Sequence, residues 1–268
     1  MRSQLVPEDR LCLLLAQGRL SQPAREEALE LLAGPLHWDL ILERAKAHEV
    51  YPLIYRNLKN IGFPGVPESA RGELEPLFRI NALRNSLLAE ELAQVLGTLH
   101  HAGIPVIPLK GLLLAESHFG DISLRVCADM DLLVPPRRSV NQACDLLVAR
   151  SYEAEFPRWF PTDRLIRNNF ECVFWRRERS VHYSVEVHWG ILAEPVAHDG
   201  SMRDLWAEAH GKDFLGVPVY DLSPEGQLVV LGAHAAWHDW QGLKWRADIH
   251  ELCLRRDLSW DRIIALSS

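Results

Sequence analysis

The sequence has few cysteines, and none of them are spaced as in a redox or metal-binding motif. No CxxC pair occurs, and the five cysteines are an odd number. This usage is typical of buried, reduced thiols in a cytoplasmic protein, so we expect a cytoplasmic location and no disulfide framework. Cys127 precedes an acidic segment but has no histidine base close to it in the sequence, and we interpret it as a packing residue.

Long apolar runs and an excess of positive charge are also missing. No apolar run reaches the roughly 18 residues of a membrane span, and charged residues interrupt the N-terminus where a signal peptide would be apolar. The net charge of −7 argues against binding to long nucleic acid, which requires a positive field. We therefore expect no membrane or long nucleic-acid partner. The negative net charge is still compatible with a small phosphate ligand that is held by metal ions.

What is present is an ordinary globular composition, with 48% hydrophobic and 24% charged residues in 268. The apolar spacing predicts a helical region over residues 1–100 and a second one over residues 196–268. Between them, residues 101–195 show the order β-α-β-α-β-β. That order predicts a small mixed sheet with helices packed on it, and hence an α+β fold.

Individual elements follow from local patterns. Residues 82–101 predict a long amphipathic helix, with Leu83 on its apolar side and its end at Gly103. Two β-rich segments, 170–175 and 183–189, flank a polar stretch and predict a hairpin whose turn holds Arg176, Arg177 and Arg179. We interpret these arginines as a solvated loop, with contact to an acidic acceptor or a phosphate as the alternative. Further helices are expected over residues 138–150, 226–237, 245–255 and 260–266.

The most informative motif is Asp129-Met130-Asp131, followed by three apolar residues. On a strand, alternate side chains share a face, so both carboxylates point the same way. Two carboxylates so close repel each other unless a cation lies between them, and hard oxygen ligands suit Mg²⁺ or Mn²⁺. A solvent-facing turn is the alternative for this motif alone.

Three further features surround this motif in the sequence. Lys110-Gly111 precedes an expected helix, where a cation and an accessible backbone could meet a phosphate, although the pair also occurs in plain turns. Arg125 could reach a phosphate or hold its loop through a salt bridge. Glu186 and His188 share one face of a predicted strand, where Glu186 could complete a metal site or belong to an ordinary exposed face.

A second group of polar residues occurs near the C-terminus, among several tryptophans. His234 and His238 are spaced i, i+4 on a predicted helix, which allows metal binding, but no glutamate follows His234 as in a zinc protease. Structural packing, contacts of these histidines or Trp245 with a base or acceptor, and a metal site are the three interpretations left open. Asp248 and His250 would complete the metal site.

Taken together, the motifs IPLKG, ADMDLLV and VEVHW resemble the uncharacterised bacterial nucleotidyltransferases of the polymerase-β-like superfamily. The tail HAAWHDWQGLKWRADIHEL is similar too, and the resemblance spans residues 80–262. It implies a nucleotidyltransferase core over residues 101–195, flanked by the two helical regions. Lys110-Gly111 stands where better-known members of the superfamily carry Gly-Ser.

The resemblance also implies an activity and roles for individual residues. A nucleoside monophosphate would pass from an NTP, with ATP as the default, to an acceptor, with Mg²⁺ or Mn²⁺ as cofactor. Asp129, Asp131 and Glu186 would be the catalytic, metal-binding carboxylates. Lys110, Gly111 and Arg125 would bind the nucleotide. His188, His234, His238 and Trp245 are candidates for base or acceptor contacts.

Two other functions are compatible with the sequence. The first is a catalytically inactive nucleotide-binding or regulatory module on the same fold, against which the complete set of three carboxylates argues. The second is a metal hydrolase built on His234, His238, Asp248 and His250. The acceptor, a small molecule or a protein, is not specified by any motif.

Overall fold

Helices make up most of residues 5–100, as the sequence predicts. In the computed structural model, which describes residues 5–135, 138–156, 169–178, 181–191, 199–255 and 257–267, this region forms five helices. Their apolar faces build one core around Leu11, Leu15, Ile41, Ile54 and Leu58. The helices are α1 (Pro7–Leu15), α2 (Gln22–Leu32), α3 (Trp38–Ala47), α4 (Tyr51–Asn60) and α5 (Glu68–His101).

Helix α5 is longer than its apolar pattern predicts, because it begins at Glu68 and continues through Pro76. It ends as expected: Gly103 has φ +72°, and the Ile104 N–H donates to the Leu99 carbonyl over 3.0 Å, the closing bond of a left-handed C-cap. Leu83 was predicted on the buried side, but its side chain is 64% exposed. In this part of the helix the buried side chains are polar: Asn81 and Asn85 are buried.

A five-stranded mixed sheet carries the residues of the acidic motifs. In the sheet the order is β1-β2-β5-β4-β3, with β2 and β5 parallel and the other neighbours antiparallel. The predicted β-α-β-α-β-β order is confirmed, with one additional short strand, β3. The elements are β1 (Ile107–Pro108), α6 (Gly111–Leu114), β2 (Met130–Leu133), α7 (Arg138–Ala149), β3 (Glu153–Ala154), β4 (Glu171–Glu178) and β5 (Val181–His188).

Among the described residues that follow β5, the regular elements are helices apart from one hairpin that the sequence did not indicate. The hairpin turns at Leu215-Gly216, both with positive φ, and its second strand contains Pro218. Proline weakens a strand prediction, yet it is tolerated here in a two-stranded sheet. The elements are α8 (Asp199–Glu208), β6 (His210–Phe214), β7 (Val217–Asp221), α9 (Pro224–Trp237), α10 (Leu243–Arg255) and α11 (Trp260–Leu266).

The chain divides into two compact units, each assembled from separated segments. The first unit contains Met1–Ser86, Ala115–Val126 and Ala235–Arg255. The second contains Leu87–Leu114, Cys127–His234 and Arg256–Ser268, and thus all strands of both sheets. Within the second unit, Ile107, Leu133, Leu205, Val230 and Leu266 belong to one apolar cluster. No helix in the described ranges is long and apolar enough to cross a membrane.

Candidate active site

Strands β2 and β5 place three polar side chains of the second unit on one face of the sheet. Asp131 is paired directly with Glu186, and His188 lies two residues further along β5, on the same side. Between them, Leu132 and Val187 point to the other face and are fully buried. The predicted alternation therefore brings Glu186 to the same face as Asp131, across the only parallel pairing among the described strands.

These three side chains converge closely enough to share a cation. One ligand atom each from Asp131, Glu186 and His188 lie within 4.8 Å of one another, and this is the one such group among the described residues. His188 Nε2 lies 3.2 Å from Asp131 Oδ1 and 3.5 Å from Glu186 Oε2. The second oxygen of Asp131, Oδ2, is buried and has no hydrogen-bond partner in the described part of the chain. A buried carboxylate oxygen in that state is suited to a metal ion.

Lys110 lies beside Asp131, on the buried side of this group of residues. The Leu109 N–H donates to the Asp131 carbonyl over 3.1 Å, which extends the β1–β2 pairing, and Gly111 then turns the chain with φ +64°. As a result the Lys110 ammonium lies 2.9 Å from Asp131 Oδ1 and 3.1 Å from His234 Nδ1. The predicted helix after Gly111 is present: it has four α-helical residues and continues as a π-helical turn that ends at Phe119.

Glu171 is a fourth carboxylate at this place, and the sequence analysis did not identify it. It is paired with His188 across the antiparallel strands β4 and β5, and its Oε2 lies 3.1 Å from His188 Nδ1. The imidazole therefore lies between Glu171 on one side and the Asp131–Glu186 pair on the other. The only sequence signal for Glu171 is its position at the start of a β-rich segment, which says nothing of its partner strand.

The pKa values of these groups reflect burial and mutual charge. Burial alone would raise the pKa of Asp131, but the Lys110 ammonium and His188 hold that pKa well below its usual range. His188 loses basicity through burial, yet its contacts with Asp131 and Glu186 raise its pKa to about 9. The contact with His188 lowers the pKa of Glu186. Burial and the charges of Asp131 and Asp129 have the larger combined effect, so the pKa of Glu186 is raised. Burial likewise raises the pKa of Glu171.

The balance of charge at this site is negative. Four carboxylates, those of Asp129, Asp131, Glu171 and Glu186, lie around two basic groups, Lys110 and His188. The side chain of Asp131 is 1% exposed and lies at the base, whereas those of Glu186 and Glu171 are 23% and 30% exposed. The site thus opens to solvent on the side of the glutamates and carries the excess negative charge that a divalent cation would neutralise.

Asp129 lies next to the start of the strand that carries Asp131. It precedes the first residue of β2 and is half-buried, and it does not belong to the group of three ligand residues found in the described chain. It is nevertheless close enough for its charge to raise the pKa of Glu186. A role for Asp129 as a metal ligand stays a prediction.

Arg125 lies in the first unit, in a buried ion pair with Asp248. Its Nη2 donates to Asp248 Oδ2 over 2.9 Å, and its Nε lies 3.1 Å from both carboxylate oxygens. The Arg125 carbonyl accepts hydrogen bonds from the side-chain amides of Asn81 and Asn85. Of the two roles predicted for Arg125, these contacts describe the one that holds its loop; contact with a nucleotide stays a prediction.

The C-terminal histidines do not assemble into a site of their own. His234 contacts Lys110 in the second unit, whereas in the first unit His238 stacks on Trp245 with the ring centroids 4.6 Å apart. Asp248 forms an ion pair with Arg125, and His250 is exposed. The described residues contain no ligand group here, so the metal hydrolase is not favoured.

The arginines predicted in a hairpin turn are placed differently. Arg176 and Arg177 belong to strand β4, while Arg179 lies outside the described residues. The Arg176 guanidinium donates to buried Glu91 over 2.6 Å and lies above the rings of Tyr152 and Tyr183. Arg176 is therefore a structural residue of the second unit rather than a solvated one.

One comparison with known proteins, a family model, supports the resemblance seen in the sequence. No curated protein matches the chain. Among solved structures, the antibiotic-resistance factor ANT(2'')-Ia is similar with 14% identity over 68% of this chain and 90% of its own, at a TM-score of 0.43. A family model described as "Uncharacterised nucleotidyltransferase" matches residues 34–268, which is most of the chain. The chain therefore belongs to this family of uncharacterised nucleotidyltransferases.

Proposed function

We propose that the chain transfers a nucleoside monophosphate from an NTP to an acceptor hydroxyl, with the help of a divalent cation. The acceptor oxygen forms a bond to the α-phosphorus while the bond from that phosphorus to the β-bridging oxygen breaks, and pyrophosphate leaves. The hydroxyl proton passes to a base of the protein. Membership of the family supports the class of reaction, and the arrangement of the carboxylates supports the mechanism.

One observation carries the proposal: Asp131 and Glu186 face each other in register, beside a buried Asp131 oxygen without a hydrogen-bond partner among the described residues. A purely structural carboxylate at 1% exposure would be expected to have both oxygens satisfied. The residues present fit a hard divalent cation such as Mg²⁺ or Mn²⁺. Asp131 and Glu186 would hold it, with Asp129 as the predicted additional ligand. Bound there, the cation would supply positive charge for the triphosphate and lower the pKa of the acceptor hydroxyl.

The side chains of the protein have distinct roles in this proposal. Glu186 is the base in this proposal, because it lies in register with Asp131 and is 23% exposed, so an incoming hydroxyl can reach its carboxylate. Lys110 supplies a positive charge beside Asp131, toward which the triphosphate is attracted. Gly111 forms the turn that places Lys110 there. Such reactions depend mainly on positioning and charge neutralisation, and need little covalent chemistry by the protein.

The acceptor enters, in this proposal, from the glutamate side of the site, where the side chains are partly exposed. The excess of carboxylates there disfavours an acidic acceptor, and the net charge of −7 disfavours long nucleic acid. A small molecule or an exposed protein side chain with a hydroxyl group and no negative charge fits best. His234, His238 and Trp245 remain predicted acceptor or base contacts.

The proposal is tested by incubating the protein with each α-labelled NTP, Mg²⁺ or Mn²⁺, and a cell extract. We expect label to appear in a product only when protein and divalent cation are both present, and chelation by EDTA to abolish the signal. Restoring the cation after EDTA treatment should restore labelling. Label transfer that continues at full rate in excess EDTA would refute the metal-dependent reaction.

A further inference from the structure

The imidazole of His188 is a potential metal ligand. It has no role if Asp129, Asp131 and Glu186 alone bind the cation. It is buried, with 6% of its side chain exposed, and both of its nitrogens face carboxylates. Nδ1 lies 3.1 Å from Glu171, and Nε2 faces Asp131 and Glu186 at 3.2 and 3.5 Å. A histidine that only filled space would not need a carboxylate on each side.

We propose that His188 is a nitrogen ligand of the divalent cation, that Glu171 holds it in place, and that the site therefore prefers a transition-metal ion such as Mn²⁺ to Mg²⁺. The inference rests on the proposed function, since it concerns the same cation. It adds two residues to the metal site, one in contact with the ion and one behind it, and it names the kind of ion.

The distances are compatible with a shared ion. Two ligands of one cation, each at about 2.1 Å, lie at most about 4.2 Å apart. The ligand atoms of Asp131, Glu186 and His188 lie within 4.8 Å of one another, so a contraction of about half an ångström is enough. To bind a cation, Nε2 would have to be unprotonated, so any proton that it shares with Asp131 would be released to solvent, as is general for histidine ligands.

Glu171 supplies the outer partner that metal-bound histidines usually have. Such a histidine donates the N–H of its other nitrogen to a carboxylate or carbonyl, which fixes the orientation of the ring and makes the ligating nitrogen more basic. Glu171 Oε2 and His188 Nδ1 lie 3.1 Å apart, which places a carboxylate beside the nitrogen that would not bind the ion. The antiparallel register of β4 and β5 sets it, because it pairs Glu171 directly with His188.

The chemistry of the ligands decides the preference. Mg²⁺ takes oxygen ligands and accepts nitrogen poorly, whereas imidazole suits transition-metal ions. Two carboxylates and one imidazole are therefore a mixed set that Mn²⁺ tolerates better than Mg²⁺. If Asp129 bound the cation in place of His188, all of the protein ligands would be oxygens, and the site would no longer prefer Mn²⁺ to Mg²⁺.

Electron paramagnetic resonance of the Mn²⁺-loaded protein tests the inference without measuring turnover. We expect the spin-echo spectrum of the wild-type protein to show coupling to one ¹⁴N nucleus, replaced by a ¹⁵N pattern when histidine is labelled. The coupling should be absent in His188→Gln.

In Glu171→Gln the affinity for Mn²⁺ should fall by about 10- to 100-fold, while Glu178→Gln, at the exposed end of the same strand, should bind as the wild type does. Mg²⁺ should displace Mn²⁺ only in large excess.

The possible failures can be told apart. If Mn²⁺ binds but the wild-type spectrum shows no nitrogen coupling, or the coupling persists in His188→Gln, the inference is wrong while the carboxylate site stands. If no Mn²⁺ binds at all, both the inference and the metal of the proposed function are wrong. The decisive wild-type spectrum does not depend on the folding of any variant.

Discussion

Replacing Glu186 by glutamine is expected to reduce nucleotidyl transfer on the order of 10³-fold while the protein stays folded. The substitution preserves the volume but removes a cation ligand and the proposed base, a loss of several kcal/mol at roughly 1.4 kcal/mol for each factor of ten. The side chain is 23% exposed, so the neutral amide can still reach water. The measurement is the single-turnover rate of label transfer, with the thermal melting temperature recorded alongside.

Glu178→Gln is the matched control, because it makes the same chemical change at a side chain that is 62% exposed and outside the site. It should leave the rate unchanged. Asp131→Asn should also lose activity, but with a lower melting temperature, because buried Lys110 and His188 lose their shared counter-charge. A Glu186→Gln protein that is active within tenfold of the wild type would refute the role of Glu186.

The second large effect concerns stability. Asp248→Ala should lower the free energy of unfolding by about 3–5 kcal/mol, because it leaves the Arg125 guanidinium buried without a counter-charge. Both side chains are almost fully buried, at 6% and 1% exposure, and three nitrogen–oxygen contacts join them. The measurement is equilibrium unfolding in urea followed by circular dichroism. Glu73→Ala, which breaks the exposed pair with Lys46, should change stability by less than about 0.5 kcal/mol.

A double variant separates charge from shape at this position. Arg125→Met together with Asp248→Leu removes both charges and keeps most of the volume, so we expect it to be clearly more stable than Asp248→Ala alone. If the double variant is the least stable of the three proteins, the directional hydrogen bonds of the pair matter more than its charge balance. If Asp248→Ala unfolds as the wild type does, the ion pair does not hold the loop.

Which residues share a strand face could be predicted from the sequence, and the sheet agrees with that prediction. Alternation on β5 placed Glu186 and His188 together, and Asp131 lies opposite them as expected. The partner strands and their register could not be read in the same way, because pairing is set by packing among distant segments. Glu171 was therefore missed: its relation to His188 exists only once β4 is paired with β5.

Contacts between distant segments account for the other differences. The nucleotide-binding role of Lys110 stays a prediction, and the sequence could not show that its ammonium contacts Asp131 and His234, the latter 124 residues away. Asp248 lies 123 residues from Arg125, and no local pattern relates the two. The start of α5 was missed for a different reason, since Gly72 and Pro76 weaken the helical signal that tertiary packing overrides.

The most direct test of the carboxylate site as a nucleotidyl-transfer centre is the fate of two labels on the same NTP. With the acceptor-containing extract and Mn²⁺, the α-phosphate label should appear in the product and the γ-phosphate label in pyrophosphate. Both signals should disappear together in Glu186→Gln and persist in Glu178→Gln. Transfer of the γ-label to the product, or equal α-label transfer by the wild type and Glu186→Gln, would contradict the proposed reaction.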